Sequence, residues 1–209
     1  MISFFSIYRH FLLGMTMTFP VLALAHHPLG AEMPIGFLDG FLSGVGHPLI
    51  ELKHALFLLG FSILLAVSKI ALSRAWVLIV AFLFATAVGT LSAVNELLIT
   101  VLPIALAVSM LIMGLLLWRL IIPRVAVALF MLVAGFFHGL AFSETVIGAE
   151  ATPILAYIIG LMLVQISLLF SVFTLIRHCR KLNPAVMESV PSFFAAVLVA
   201  SGTIMTLGF

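Results

Sequence analysis

Long apolar runs, separated by short polar connections, occupy most of the chain after residue 45. A helix that crosses a bilayer needs about 20 predominantly apolar residues, so runs of this length predict membrane-spanning helices. Charged residues end the runs, as Lys69 and Arg74 do between the first two. The pattern predicts an all-α membrane protein with six transmembrane helices, near residues 46–67, 76–94, 98–118, 123–143, 152–176 and 190–208.

Residues 1–25 differ from the runs that follow. Arg9 and His10 precede a short apolar stretch, and Ala23-Leu24-Ala25 matches the small-x-small pattern of a signal-peptidase site. We expect residues 1–25 to be a cleaved signal peptide, with an uncleaved signal anchor as the alternative. Residues 26–45, rich in Gly and Pro, would then form a periplasmic lead-in segment before a transmembrane domain at 46–209.

The composition agrees with a membrane protein and excludes several functions. Hydrophobic residues make up 65% of the chain and charged residues only 8%, against about 25% charged residues in a soluble domain. The net charge of +2 gives no indication of nucleic-acid binding. No nucleotide-binding loop and no clear catalytic nucleophile is present, so we predict neither an enzyme nor a tightly bound cofactor. The single cysteine, Cys179, excludes an intrachain disulfide.

The basic residues of the connections predict the orientation in the membrane. Cytoplasmic loops carry an excess of Lys and Arg. The basic residues of the loops all fall in alternate connections: Lys69, Arg74, Arg119, Arg124, Arg177, Arg180 and Lys181. Most acidic residues fall in the other connections, with Glu188 as the exception. We therefore predict a multi-pass protein of the bacterial inner membrane whose mature N- and C-termini both lie in the periplasm.

The first predicted span carries an unusual set of polar residues. Its uninterrupted apolar part, Ala55–Val67, would cover only about 20 Å as a helix, whereas the hydrocarbon core is about 30 Å thick. The preceding polar residues must therefore enter the outer leaflet. In a continuous helix His47, Glu51 and His54 would share one face, at spacings of four and three. Ionisable groups at this depth are costly and usually functional.

Further polar residues lie in other parts of the predicted outer half. His138 lies near the outer end of the fourth span, and Tyr157 and Gln165 lie in the fifth. Imidazole and carboxylate groups together are a normal ligand set for Ni, Co, Zn or Fe. We therefore predict that one group of residues converges on a metal site: His47, Glu51, His54 and His138, with Glu96, Glu144 and the two histidines of the mature N-terminus, His26 and His27, as further candidate ligands.

Structural explanations exist for the same residues. His138 could bond a carbonyl inside the bundle, and the loop acids Glu96 and Glu144 could simply be solvated. Glu51 and Lys53 could form an ion pair with each other. If Lys53 does not turn to the membrane interface, we expect it to pair with an acid, for which Glu96 is the leading candidate.

At this point the chain resembles the hydrogenase/urease accessory permease family, HupE/UreJ. The family motif is His-Pro-x-x-Gly-x-Asp-His, and this chain has His47-Pro48-Leu49-Ile50-Glu51-Leu52-Lys53-His54. Both histidines and the proline match, whereas Glu51 replaces the glycine and Lys53 the aspartate. Further matches extend over most of the chain: Glu96, the Ala107-Val108-Ser109 stretch up to Gly114, the element from His138-Gly139 to Glu144, and Ala156-Tyr157-Ile158-Ile159-Gly160.

The resemblance implies transport of nickel or cobalt and a link to the maturation of nickel enzymes. His47, His54 and His138 would be residues of the metal pathway, supported by Glu96 and Glu144. The expected partners are the lipid bilayer and a membrane complex or a metalloenzyme-maturation protein. Lys53 favours an alternative, because an ammonium repels a divalent cation: the chain could be a non-transporting membrane subunit or assembly factor of a larger complex.

Overall fold

The computed structural model describes residues 33–68, 70–92, 96–118 and 124–207, without the side chains of 96–100, 124 and 186. All regular secondary structure in these ranges is helical. The helices are α1 (Phe37–Ile50), α2 (Leu52–Val67), α3 (Leu72–Leu91), α4 (Glu96–Leu117), α5 (Arg124–Ser143), a short 3₁₀ helix (Glu144–Val146), α6 (Ala151–Leu182) and α7 (Pro184–Thr206).

Several of these helices are long and apolar enough to cross a membrane. Four stretches of the described residues qualify on their own, namely Leu72–Leu91, Val125–Val146, Ala151–Leu182 and Met187–Thr206, and α1 with α2 qualifies as a fifth, broken span. The apolar part of α4, Val101–Leu117, is shorter. The predicted all-α membrane protein is thereby confirmed, whereas the count of six spans stays a prediction. The predicted signal peptide, His26 and His27 lie outside the described residues.

The first predicted span is not one continuous helix. α1 ends at Ile50, α2 begins at Leu52, and the two axes are bent by 74°. Glu51 between them has an extended backbone, donates its N–H to the His47 carbonyl and accepts from the N–H groups of His54 and Ala55. The predicted single helical face across this segment is therefore wrong. Pro48, which cannot donate a hydrogen bond, lies in the last turn of α1 just before the break.

Part of the predicted lead-in segment is also helical, because α1 begins at Phe37. Gly44 in this segment and Gly139 on α5 allow close helix packing. A Cβ at Gly44 would overlap the carbonyl oxygen of Tyr157 on α6, and a Cβ at Gly139 on α5 would overlap the carbonyl oxygen of Thr86 on α3. Glycine at these two positions lets the backbones touch, as in other membrane helix pairs. The first contact brings the end of α1 against α6.

The broken span supplies the centre of the bundle through α2, which packs against α4, α6 and α7. The rings of Phe57 and Phe61 on α2 contact that of Phe82 on α3, with centroids 5.8 and 5.3 Å apart. A cavity of about 800 Å³ lies at the end of α2 that is farther from Glu51. Its lining includes Leu64, Leu65, Arg74, Leu117, Arg180 and Glu188. The outward faces are apolar, as at Val80 and Phe84, which suits contact with lipid.

Candidate metal-binding site

The break between α1 and α2 brings three potential metal ligands together. His47 lies in the last turn of α1, Glu51 at the break, and His54 in the first turn of α2. One ligand atom from each lies within 4.8 Å of the others. The exposed fraction of the side chain is 0% for His54, 11% for His47 and 38% for Glu51. The cluster is thus buried on the histidine side and open on the carboxylate side.

The Glu51 carboxylate faces both imidazoles and an ammonium. Its Oε1 lies 3.3 Å from His47 Nε2, and its Oε2 lies 3.5 Å from His54 Nε2. Lys53 Nζ lies 2.6 Å from the same Oε2, a distance typical of a strong charge-assisted hydrogen bond. Lys53 therefore pairs with an acid, as predicted, but the acid is Glu51. The side chain of Glu96, the predicted partner, lies outside the described residues.

The second nitrogen of His47 is held by two hydroxyl groups. Nδ1 lies 2.7 Å from Thr145 Oγ1 and 3.0 Å from the Tyr157 hydroxyl. That hydroxyl also donates to the Phe142 carbonyl oxygen at 3.0 Å. Whether His47 Nδ1 donates or accepts in these contacts depends on the tautomer of the ring. In either case the other nitrogen, Nε2, faces Glu51 Oε1.

The second nitrogen of His54 is held by a similar chain. Ser109 Oγ donates to the Leu106 carbonyl at 2.7 Å and lies 3.1 Å from His138 Nε2. His138 Nδ1 lies 2.7 Å from His54 Nδ1, and the tautomers of the two rings decide which nitrogen donates. His54 Nε2 has no hydrogen-bond partner among the described residues. It points toward Glu51 Oε2.

The cluster has the ligand atoms of a metal site. Two imidazole nitrogens and a carboxylate face one another, and with both nitrogens deprotonated they would repel unless a cation lay between them. Metal-ligating histidines typically donate their other N–H to a hydrogen-bond acceptor, which fixes the tautomer and the ring orientation. The Nδ1 atoms of His47 and His54 have such neighbours in Thr145, Tyr157 and His138. The arrangement can therefore coordinate a divalent ion through two nitrogens and a carboxylate.

Aromatic rings close the inner side of the cluster. The Phe142 ring lies against the rings of His54 and His47, with centroids 4.2 and 5.1 Å apart. Phe57 covers His138, with a centroid distance of 4.3 Å. These rings exclude water, whereas Glu51 and Lys53 are each more than a third exposed. An ion would therefore reach the cluster from the carboxylate side.

The sequence-predicted residues fall into three sets. His47, Glu51 and His54 form the cluster, and His138 lies directly behind His54 with both ring nitrogens engaged. Glu144 is exposed and does not belong to this cluster. The side chain of Glu96, together with His26 and His27, lies outside the described residues. Sequence reasoning missed Thr145, because a hydroxyl residue next to a loop acid does not by itself indicate a functional site. Ser109 and Tyr157 could be found from the sequence, because both are polar residues in the motif stretches of predicted spans.

Comparison with known proteins identifies a family model that matches nearly the whole chain. A family model described as "HupE / UreJ protein" matches residues 13–205, which is nearly the full length. No curated protein and no solved structure matches the chain.

Proposed function

The chain belongs to the HupE/UreJ family of nickel/cobalt accessory permease-like membrane proteins, and we propose that it carries a divalent transition-metal ion across the bacterial inner membrane. Nickel or cobalt is the proposed cargo. The observation that carries the proposal is the cluster of His47, Glu51 and His54, in which the Nε2 atoms of two imidazoles face one carboxylate. Imidazole and carboxylate suit these metals. Neither catalysis nor a tightly bound cofactor is part of the proposal.

In this proposal each residue of the site has a separate role. His47 Nε2, His54 Nε2 and Glu51 bind the ion. Tyr157 and Thr145 orient His47, and His138 orients His54 through the 2.7 Å contact between their Nδ1 atoms. Lys53 holds Glu51 Oε2, so its ammonium must release that oxygen when the ion binds. The lysine thus acts as a tethered cation that competes with the cargo.

The distribution of basic residues supports a direction of ion movement, from the periplasm to the cytoplasm. The cavity at the far end of α2 is lined by Arg74 and Arg180, which belong to the connections predicted to be cytoplasmic. The metal cluster at the other end of α2 would then face the periplasm, as would both mature termini. The ion would pass from the cluster along α2 to the cavity. Six spans in a lipid bilayer complete this topology.

A second function is favoured by one observation, the 2.6 Å contact between Lys53 and Glu51. This contact neutralises the carboxylate that the metal would need. A protein in which the ion pair is permanent would bind no metal, and it would serve as a non-transporting membrane subunit or assembly factor. Its partner would be a larger membrane complex or a metalloenzyme-maturation protein.

Accumulation of radioactive nickel and cobalt in bacterial cells that lack their own uptake system tests the first function. Cells with the wild-type protein should accumulate the metal, and His47→Ala and His54→Ala should reduce accumulation to the level of cells without the protein. His178→Ala is the matched control, because His178 is exposed near the opposite end of α6, and it should transport normally. Protein levels in the membrane are measured for every variant.

Two results would contradict transport. Equal accumulation in wild-type, variant and empty cells would exclude it directly. A stable co-purifying partner, together with no bound metal in the purified protein, would instead support the subunit or assembly role.

A further inference from the structure

The amide of Gln165 is buried in the middle of α6 without a hydrogen bond. Its exposed fraction is 0%, and neither Oε1 nor Nε2 has a partner among the described residues. Burial of an amide without hydrogen bonds destabilises a folded protein, and more so in a membrane, where water is absent. Two buried polar residues of other helices avoid this cost. Ser62 and Thr86 are also fully buried, but each donates to a carbonyl of its own helix.

Within the described residues, one other side chain has a buried polar atom without a partner. That atom is His54 Nε2, which points into the metal cluster. At His54 the missing partner has a simple explanation, because Nε2 faces the cluster and is available to the cargo. The same explanation can apply to Gln165 only if its amide lies on the route of the ion.

The position of Gln165 along α6 meets this condition. It shares a buried face with Tyr157, whose hydroxyl contacts His47, and it lies eight residues further along, or about 12 Å. Arg180, which lines the cavity and donates to the Val67 carbonyl, lies another 15 residues on, or about 22 Å. α2 and α6 pack together and run in the same direction from cluster to cavity. Gln165 therefore lies between the two ends of the proposed path.

The chemistry of an amide oxygen suits an intermediate position. Amide carbonyl oxygens coordinate cations, but imidazole is the preferred ligand of nickel and related metals. A conduction path needs sites that bind strongly enough for the ion to enter and weakly enough for it to leave. The cluster, with two imidazoles and a carboxylate, would bind the ion more strongly than a single amide oxygen. An amide oxygen placed after the cluster on the path would therefore let the ion leave. It would also shorten the apolar distance that the ion must cross.

We propose that Gln165 Oε1 is a second, transient ligand for the transported cation, between the His47–Glu51–His54 cluster and the inner cavity. This inference rests on the proposed transport function and adds a residue to its path. Gln165 and the cluster have different roles: the cluster sets the affinity for the ion, and Gln165 sets how fast the ion moves on.

The test uses the full-length protein and three variants. Gln165→Leu removes the amide at similar volume, Gln165→Glu keeps an oxygen at the same position, and Ser62→Ala is the control for removal of a buried polar group that has a partner. Three quantities are measured: the affinity for Ni²⁺ or Co²⁺ in detergent, the rate of uptake in cells, and the melting temperature.

We expect Gln165→Leu to bind the metal within twofold of wild type, because the cluster lies about 12 Å away. Its uptake should fall by about tenfold or more, while its melting temperature stays equal or rises, because an unpartnered amide has been removed. Gln165→Glu should transport several-fold faster than Gln165→Leu, and Ser62→Ala should transport like wild type.

Wild-type uptake by Gln165→Leu would overturn the role of Gln165 and leave the proposed function intact. A parallel loss of uptake, affinity and melting temperature would also overturn it, because Gln165 would then be a structural residue. If wild-type protein binds or transports no metal, the proposed function fails first and the role of Gln165 fails with it.

Discussion

Glu51→Gln should abolish metal binding at the cluster, raising the Kd for Ni²⁺ or Co²⁺ by about 100-fold or more. The substitution removes the carboxylate, one of the three ligands, whereas loss of an outer hydrogen-bond partner alone typically costs 10–100-fold in affinity. It also leaves the Lys53 ammonium, now 2.6 Å from Glu51 Oε2, without its counter-charge. The site would change from neutral to positive and would repel the ion. Isothermal titration of the purified protein in detergent measures this effect.

Glu144→Gln is the matched control for this substitution. Glu144 is exposed and lies outside the cluster, so its removal should leave the Kd unchanged. Wild-type affinity in Glu51→Gln, or equal losses in both variants, would exclude Glu51 as a ligand.

Lys53→Met should have the opposite effect and lower the Kd by about tenfold. A hydrogen bond between charged groups stabilises by about 1.5–3 kcal/mol, but Lys53 and Glu51 are each more than a third exposed, and solvent screening reduces this energy. We therefore expect slightly less than this range, about 1.4 kcal/mol, which corresponds to tenfold. Removal of the tethered ammonium frees Oε2 for the metal. The measurement is the same titration.

Lys53→Arg keeps the positive charge and should retain the wild-type Kd. An unchanged Kd in Lys53→Met would show that the ammonium does not compete with the ion. A higher Kd in that variant would show instead that Lys53 stabilises the site.

The convergence of the candidate ligands could be predicted in part. The short apolar part of the first span predicts that His47, Glu51 and His54 enter the membrane and need polar neighbours, and the three lie together in the structure. The spacing of four and three predicts one helical face, which is wrong because the helix breaks at Glu51. His138, predicted to join them from another span, contacts His54, whereas a metal role for these residues stays a prediction.

The break at Glu51 could not be predicted from the same pattern. A proline near the start of a predicted span fits the first turn of a helix, where a missing N–H has no cost, but Pro48 lies in the last turn of α1. The Gly- and Pro-rich residues 26–45 predict a periplasmic lead-in segment, whereas part of that segment is α1, and Gly44 allows α1 to touch α6. Hydrophobic periodicity describes one helix at a time. The position of Pro48 in its helix and the structure of the segment before it both depend on how two helices pack together.

The partners of the second imidazole nitrogens also depended on tertiary contacts. Thr145 and Ser109 lie 98 and 29 residues from the histidines that they contact. Spacing along the sequence carries no signal for such pairs. The direction of the Lys53 side chain could not be predicted either, because the sequence allows it to reach both Glu51 and the membrane interface.

X-ray absorption spectroscopy of the protein loaded with one equivalent of Ni²⁺ or Co²⁺ is the most direct measurement of the metal site. The proposed site predicts one bound ion per chain with nitrogen and oxygen ligands at about 2.0–2.2 Å, including two imidazoles, and with one imidazole fewer in His47→Ala. A chain that binds no ion, or a spectrum without imidazole that is unchanged in His47→Ala, would contradict it.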